Sequence, residues 1–185
     1  MQKFPTLHSN RLELRKVELS DLPSLIQHAN NKKIADQIFN ISYPYQEEEA
    51  IFRINFVWQG FKNKERYVFA ITYKEEQKLI GEIGLHLDLA NDSAQFGYWI
   101  GEPFWGQGIA TEATAALLKF GFEVLKLNKI YATHYPENPA SGKVMLNNQM
   151  IKEAELKEQY KIDGVYRSVH QYRLTQAEYQ ALKTL

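Results

Sequence analysis

From residue 11 the chain alternates polar and apolar positions, Arg11-Leu12-Glu13-Leu14-Arg15, the period of a half-buried strand. Ser20-Asp21-Leu22-Pro23 follows with the features of a helix start, Ser20 as the cap and Pro23 in the first turn. Leu22, Leu25, Ile26 and Ala29 would form its buried stripe, and Asn30-Asn31 its end. A longer helix is predicted after Pro44-Tyr45. Glu47, Glu48 and Glu49 favour the positive end of its dipole, and Ala50, Ile54, Val57, Trp58 and Phe61 recur at helical spacing. The period then changes. Residues 67–73, 79–87 and 94–100 are β-rich runs joined by short polar connectors, which predicts an antiparallel meander. A helix with Ala113, Ala116, Leu117, Phe120 and Val124 on one face precedes a further strand over 129–135, making a β-α-β crossover. A short helix over 140–148 and two strands near 151–160 and 165–174, turning at Asp163-Gly164, come next. Thr175-Gln176-Ala177-Glu178 is a capping box that opens a C-terminal helix. With no linker, repeat or low-complexity segment, the expectation is one α+β domain over residues 1–185.

Composition narrows the chemistry. Lys+Arg and Asp+Glu are 22 each, so the net charge is zero and nucleic acid is not expected as a partner. There is no cysteine, which excludes disulfides, thiolate zinc sites and a cysteine acyl intermediate. The five histidines lie far apart and show no metal spacing, so no metal is expected. No apolar run reads as a signal peptide or a membrane span, so a cytoplasmic protein without a membrane partner is the default.

The chemistry concentrates in residues 96–113, an aromatic strand, a glycine-punctuated turn and the start of an alanine-rich helix. That order leaves unpaired backbone N–H groups at a helix N-terminus directly after a strand, where the helix dipole is positive: an anion site. Two familiar phosphate motifs fail. No Gly-x-x-x-x-Gly-Lys-Ser/Thr string occurs, and the place of the third glycine of a dinucleotide fingerprint, counted from Gly106 and Gly108, holds Thr111. What remains is Trp105-x-x-Gly108-x-Ala110.

That pattern resembles the pyrophosphate loop of the GNAT superfamily of acetyl-CoA-dependent N-acetyltransferases, with consensus Gln/Arg-x-x-Gly-x-Gly/Ala. The longer string Gly97-Tyr98-Trp99-Ile100 through Trp105-Gly106-Gln107-Gly108-Ile109-Ala110-Thr111-Glu112-Ala113 is similar to the RimJ/RimL-like branch, which acts on the N-termini of ribosomal proteins. The likeness extends over nearly the whole chain, through Leu79-Ile80-Gly81-Glu82-Ile83-Gly84 and Asn138-Pro139-Ala140-Ser141. It departs at Trp105, at Asn148-Gln149-Met150 in place of Leu-Gly-Phe, and at Tyr45 where a capping Thr is usual. The resemblance implies a mostly antiparallel mixed sheet of about six to seven strands, flanked by helices and splayed between the family's fourth and fifth strands.

It also implies roles. Acetyl-CoA would be the co-substrate, its pyrophosphate held by the N–H groups of Trp105, Gly106, Gln107, Gly108, Ile109 and Ala110 with the Thr111 hydroxyl. Trp99 and Ile100 match the strand beside the pantetheine arm, with Ile100 N–H as oxyanion donor; their other reading is core packing. Asn138 matches a CoA-contacting asparagine or is simply a helix cap, and Ser141 matches a serine proposed as the acid for the leaving thiolate. Acetyl transfer needs a neutral amine, and amines are mostly protonated at pH 7, so a base is required. Glu82, on a strand bordering the cleft, is the first candidate, with an exposed cross-strand acid as its other reading; His134 is the second. The acceptor expected is the N-terminal amine of a protein or peptide. The alternatives are a polyamine or antibiotic, or a non-catalytic acyl-CoA-binding module. Acceptor recognition would fall to residues 30–45 and 155–168, and the two final strands could pair with a second copy in a homodimer.

Overall fold

The computed structural model describes residues 3–38 and 40–183; Phe39, within the expected acceptor loop, lies outside the described residues. Eight strands form one sheet in the order β1-β2-β3-β4-β5-β6-β8-β7. They are β1 (Leu7–His8), β2 (Leu12–Lys16), β3 (Arg66–Tyr73), β4 (Leu79–Asp88), β5 (Ser93–Ile100), β6 (Lys129–His134), β7 (Ile151–Ile162) and β8 (Val165–Thr175). The count exceeds the expected six to seven because the first strand is preceded by β1, which pairs only at Leu7↔Leu14 and His8↔Glu13. All neighbours are antiparallel except β5 and β6, joined through helix α4 (Ile109–Lys119) as the crossover required.

The β5–β6 pair positions everything that follows. The strands are in register only at Ser93↔Lys129, Ala94↔Ile130 and Gln95↔Tyr131. Beyond Gln95, β5 pairs only with β4, out to Gly81↔Ile100, while β6 continues against β8 to His134↔His170. The sheet is therefore splayed, and the splay opens toward the C-terminal end of β5.

Helices cover the two faces. One face carries α1 (Leu22–Ala29), α2 (Lys32–Ala35) and α3 (Glu47–Lys62), with Leu25, Ala50, Ile54 and Val57 packed on Val68, Ala70 and Trp99. The other carries α4 and α5 (Pro139–Asn147), with Ile109, Ala113, Leu117 and Met145 packed on Leu85, Phe96, Ile130 and Ala132. Alternation along β5 thus sends Phe96 and Ile100 to the α4 face and Trp99 to the α3 face. Helix α6 (Gln176–Leu182) begins at the predicted capping box, with Thr175 Oγ1 accepting from Glu178 N–H at 3.3 Å and Glu178 Oε2 accepting from Thr175 N–H at 2.8 Å.

One local expectation needs correction, and two departures from the family pattern acquire a structural account. Ser20 does not cap α1. It sits in a 3-10 turn over Leu19–Asp21, closed when Asp21 Oδ2 accepts Glu18 N–H at 2.8 Å, while Arg15 grips the same buried carboxylate with both terminal nitrogens at 2.8 Å. Tyr45 is not a cap either. Gln46 is the cap residue of α3, its N–H held by Glu49 Oε2 at 2.8 Å, so one of the three acids closes a capping box and Tyr45 is free to be buried. At Asn148-Gln149-Met150, Gln149 adopts the left-handed conformation (φ 59°) where the family has glycine. Asn148 Nδ2 donates to Val144 O at 2.8 Å and Thr111 O at 3.2 Å, tying α5 to the first turn of α4, and Met150 is buried where phenylalanine is usual.

Candidate active site

The chain leaves β5 at Ile100, makes a 3-10 turn over Glu102–Phe104, and enters α4 through Gly106 and Gly108, both at positive φ (74° and 75°). An added side chain at Gly106 would meet nothing within 4 Å, and at Gly108 only an Arg11 nitrogen at 3.7 Å. Conformation, not space, therefore calls for glycine here. Among the described residues, the N–H groups of Gly106, Gln107, Gly108, Ile109, Ala110 and Thr111 have no acceptor; the helical ladder starts with Glu112 N–H to Gly108 O at 3.0 Å. Trp105 is the exception within the expected set. Its N–H is spent on Glu102 O at 3.1 Å, and its indole N–H instead donates to Ile100 O at 2.6 Å, tying the loop back to the end of β5.

The loop is braced from far away. Glu112 accepts the Ser9 hydroxyl, the Arg11 N–H and the Arg11 Nε, each at 2.7 Å, and Arg11 also donates to Gln107 O at 3.0 Å. Burial pushes the Glu112 carboxyl up, but these donors outweigh it and hold its pKa below the usual carboxylate value. The Arg11 guanidinium thereby becomes a positive charge beside the free N–H groups. Reading the sequence did not find it; the partners are 101 residues apart.

The splay itself encloses about 380 Å³, bounded by Glu82, Tyr98 and Trp99 on one side and Thr133, His134, Asn138 and Ser141 on the other. Gly101 N–H donates to Ile80 O at 2.8 Å. By the alternation of an antiparallel ladder, Trp99 then bonds to β4, whereas Ile100 N–H turns away from β4 into the splay. Of the two expected strand positions, Ile100 presents a main-chain donor there, and Trp99 presents its side chain on the α3 face. The Trp99 indole N–H donates to Glu82 Oε2 at 2.9 Å, and Arg53 Nε donates to the same oxygen at 3.0 Å. Glu82 is 2% exposed, and its other oxygen, Oε1, is buried without a partner among the described residues. Two charge-assisted bonds on one oxygen leave the second as a free acceptor. Glu82 is therefore not an exposed cross-strand acid.

The α4 face holds a different pair. Tyr98 Oη and Ser141 Oγ are 2.8 Å apart, bridging β5 and the first turn of α5. Burial raises the Tyr98 hydroxyl pKa, against the lowering effect of the Ser141 bond, so the phenol stays protonated. Asn138 caps α5, its Oδ1 accepting Ser141 N–H at 3.2 Å, so the same bond that starts the helix aims Ser141. His134 is also on this face. Its Nδ1 lies 2.7 Å from Tyr135 O, its Nε2 is buried without a partner, and burial lowers its pKa, so the ring is neutral near pH 7. The structure thus separates the base candidates: Glu82 faces the α3 side, His134 the α5 side.

On the α3 side the splay opens into a cleft of about 1370 Å³ between α2, α3 and the tip of the β7–β8 hairpin; Arg53, Glu82, Trp99 and Tyr135 line both spaces. Tyr45 contributes to its wall, its hydroxyl pKa raised first by burial and then by Glu82. Among the described residues there is no cluster of His, Asp and Glu that could hold a metal ion, and no helix long and apolar enough to cross a membrane.

Known proteins share this fold and much of this sequence. The family model described as an acetyltransferase (GNAT) domain matches residues 11–151. An uncharacterized N-acetyltransferase of Bacillus licheniformis is 34% identical over 180 residues, covering 94% of this chain and 98% of its own. The ribosomal-protein-serine acetyltransferase of Escherichia coli (strain K12) is 29% identical over 166 residues, covering 89% and 92%. The crystal structure of the spermidine N-acetyltransferase from Vibrio cholerae in complex with CoA and spermine is 26% identical, with a TM-score of 0.78 over 92% of this chain and 98% of that one.

Proposed function

The chain belongs to the GNAT acetyltransferases, and on that premise we propose that it transfers the acetyl group of acetyl-CoA to the N-terminal amine of a peptide or protein. One coincidence carries the reading: the run of unpaired N–H groups from Gly106 to Thr111 follows the open end of a splay that is lined by Glu82, whose Oε1 is buried without a partner among the described residues. The residues fit the co-substrate. A pyrophosphate takes several N–H donors at a helix N-terminus, and Arg11 adds charge beside them. Acetyl-CoA, when bound, supplies the thioester whose acetyl group moves. Ile100 N–H is turned to meet the charge that develops on the carbonyl oxygen.

Glu82 Oε1 takes the proton that an ammonium must lose before it can attack, and Arg53 and Trp99 keep the carboxylate oriented for that work. Ser141 Oγ gives a proton to the departing thiolate, and the Tyr98 hydroxyl stands behind it as a positioning partner. One proton is thus taken up by Glu82 on the α3 face, and a second, lost by the nitrogen as the amide forms, makes up for the one that Ser141 gives to the thiolate on the α4 face; the splay is where the two faces meet. His134 lines the splay from the α5 side but not the acceptor cleft, which Glu82 does line, so the base is assigned to Glu82. The cleft exceeds the roughly 300–1,000 Å³ of small-molecule sites, which favours a chain end over a compact ligand.

Glu82→Gln tests the assignment. It should lower kcat about 100-fold or more while acetyl-CoA affinity by calorimetry is unchanged. A variant with full kcat would remove Glu82 from the mechanism, and a wild-type protein that binds no acetyl-CoA would overturn the reading of the loop. A second reading rests on Glu48, Glu137 and Asp163, which line the cleft and form no ion pair among the described residues. Three unpaired acids suit a polyamine. Comparing kcat/KM for spermidine and for peptides decides between the two.

A further inference from the structure

Ligand clefts are lined mainly by apolar and aromatic side chains, and α3 places two exposed aromatic ones in this cleft. Glu48, Phe52 and Phe56 recur at four-residue spacing, one helix face, and all three line the cleft. Phe52 is 71% exposed and Phe56 36% exposed. Their rings stack at 6.2 Å between centroids and 22° between planes. The buried stripe of α3 runs elsewhere, through Ala50, Ile54, Val57 and Gly60, so folding does not require aromatic residues at 52 and 56.

The pair is nevertheless held in place. The Arg66 guanidinium carbon lies 3.7 Å from the Phe56 ring centroid, covering one ring face. Arg66 can lie there because residue 60 is glycine: a Cβ at that position would stand 2.4 Å from Arg66 Cγ, Cδ and Nε. Phe56 is pinned from beneath, and Phe52 extends its surface into the cleft.

The distance to the chemistry is short. Arg53 links the two features, its Nε 3.0 Å from Glu82 Oε2 and its guanidinium carbon 6.0 Å from the Phe56 centroid. An extended peptide advances roughly 3.3–3.6 Å per residue, so side chains two or three residues from an amine held at Glu82 reach the aromatic pair. We propose that Phe52 and Phe56 form a specificity subsite for a large apolar or aromatic side chain at the second or third residue of the acceptor peptide. The inference rests on the peptide reading above. The acceptor enters amine first, its charge drawn by Glu82 and by Glu48 on the same helix face, and its apolar side chain covers Phe52.

The test measures CoA release from acetyl-CoA with peptides that share an N-terminal residue and carry leucine or phenylalanine, or else glycine, at positions two and three. The apolar peptides should have a KM at least about tenfold lower at similar kcat. Phe52→Ala should erase that difference by raising KM for the apolar peptides alone, and Phe52→Leu should restore most of it. Equal KM values across the set, or a Phe52→Ala effect shared by the glycine peptides, overturns the subsite while leaving peptide acetylation standing. Turnover of spermidine with no peptide accepted overturns both readings.

Discussion

Between Gly101 and Glu112 the proposed anion site is made of main chain from one contiguous stretch. The proposed acceptor cleft instead draws Phe52 and Arg53 from α3, Glu82 from β4, Trp99 from β5 and Arg167 from β8. The difference is one of chemistry as well as of origin. The free N–H groups start at Gly106, after Trp105, so the loop tolerates Trp105 where the family has Gln or Arg, provided the backbone turns through positive φ at 106 and 108. The cleft depends on what its side chains are, and each is held by a neighbour from another element. Glu82 has Arg53 and Trp99; Phe56 has Arg66.

The contrast can be broken most sharply at Gly108. Gly108→Glu should weaken acetyl-CoA binding at least about 100-fold by calorimetry, because it combines left-handed strain with a carboxylate at an anion site. Gly108→Ala isolates the strain, since space there is open, and should cost about tenfold. If Gly108→Ala binds like wild type, the loop does not depend on its backbone conformation. The side-chain half is tested at Tyr98, where Phe should lower kcat about tenfold with KM for acetyl-CoA unchanged. Equal falls in kcat for Tyr98→Phe, Ser141→Ala and the double variant would show that the two hydroxyls act as one unit; independent, multiplying losses would not.

An effect on stability and not on turnover joins the two plans, because Glu112 is a side chain that fastens the main-chain loop. Glu112→Gln should cost about 1.5–3 kcal/mol in urea unfolding at pH 7. The folded pKa of Glu112 lies below the unfolded value of about 4.3, so its contribution is complete above that pH and is lost as pH falls through the folded pKa. The gap between wild type and variant should therefore close on the acid side of about pH 4. A gap independent of pH would assign the loss to packing instead.

How much of this was legible follows from what each feature needs. The meander, the crossover and the Thr175 capping box were readable because periodicity and capping act over a few residues. Ser20 misled because it fitted the cap rule locally, while Asp21, fixed by Arg15, closed the turn instead. Asn138 kept two readings in the sequence; the structure shows the cap, with Oδ1 on Ser141 N–H.

The chain's own order determines the strand, the glycine turn and the helix that together expose a row of N–H groups, since all of these are set by neighbours along the backbone. It also determines that no cysteine takes part. Only the tertiary structure decides which of the two base candidates lines the large cleft on the α3 side. Glu82 and His134 are both strand residues in the sequence, and their faces are assigned by register: Glu82 opposite Trp99 under α3, His134 opposite His170 under α5. The Arg11 brace and the aromatic pair above Arg66 are likewise invisible until the sheet forms, because each joins residues that meet only across it or against its face.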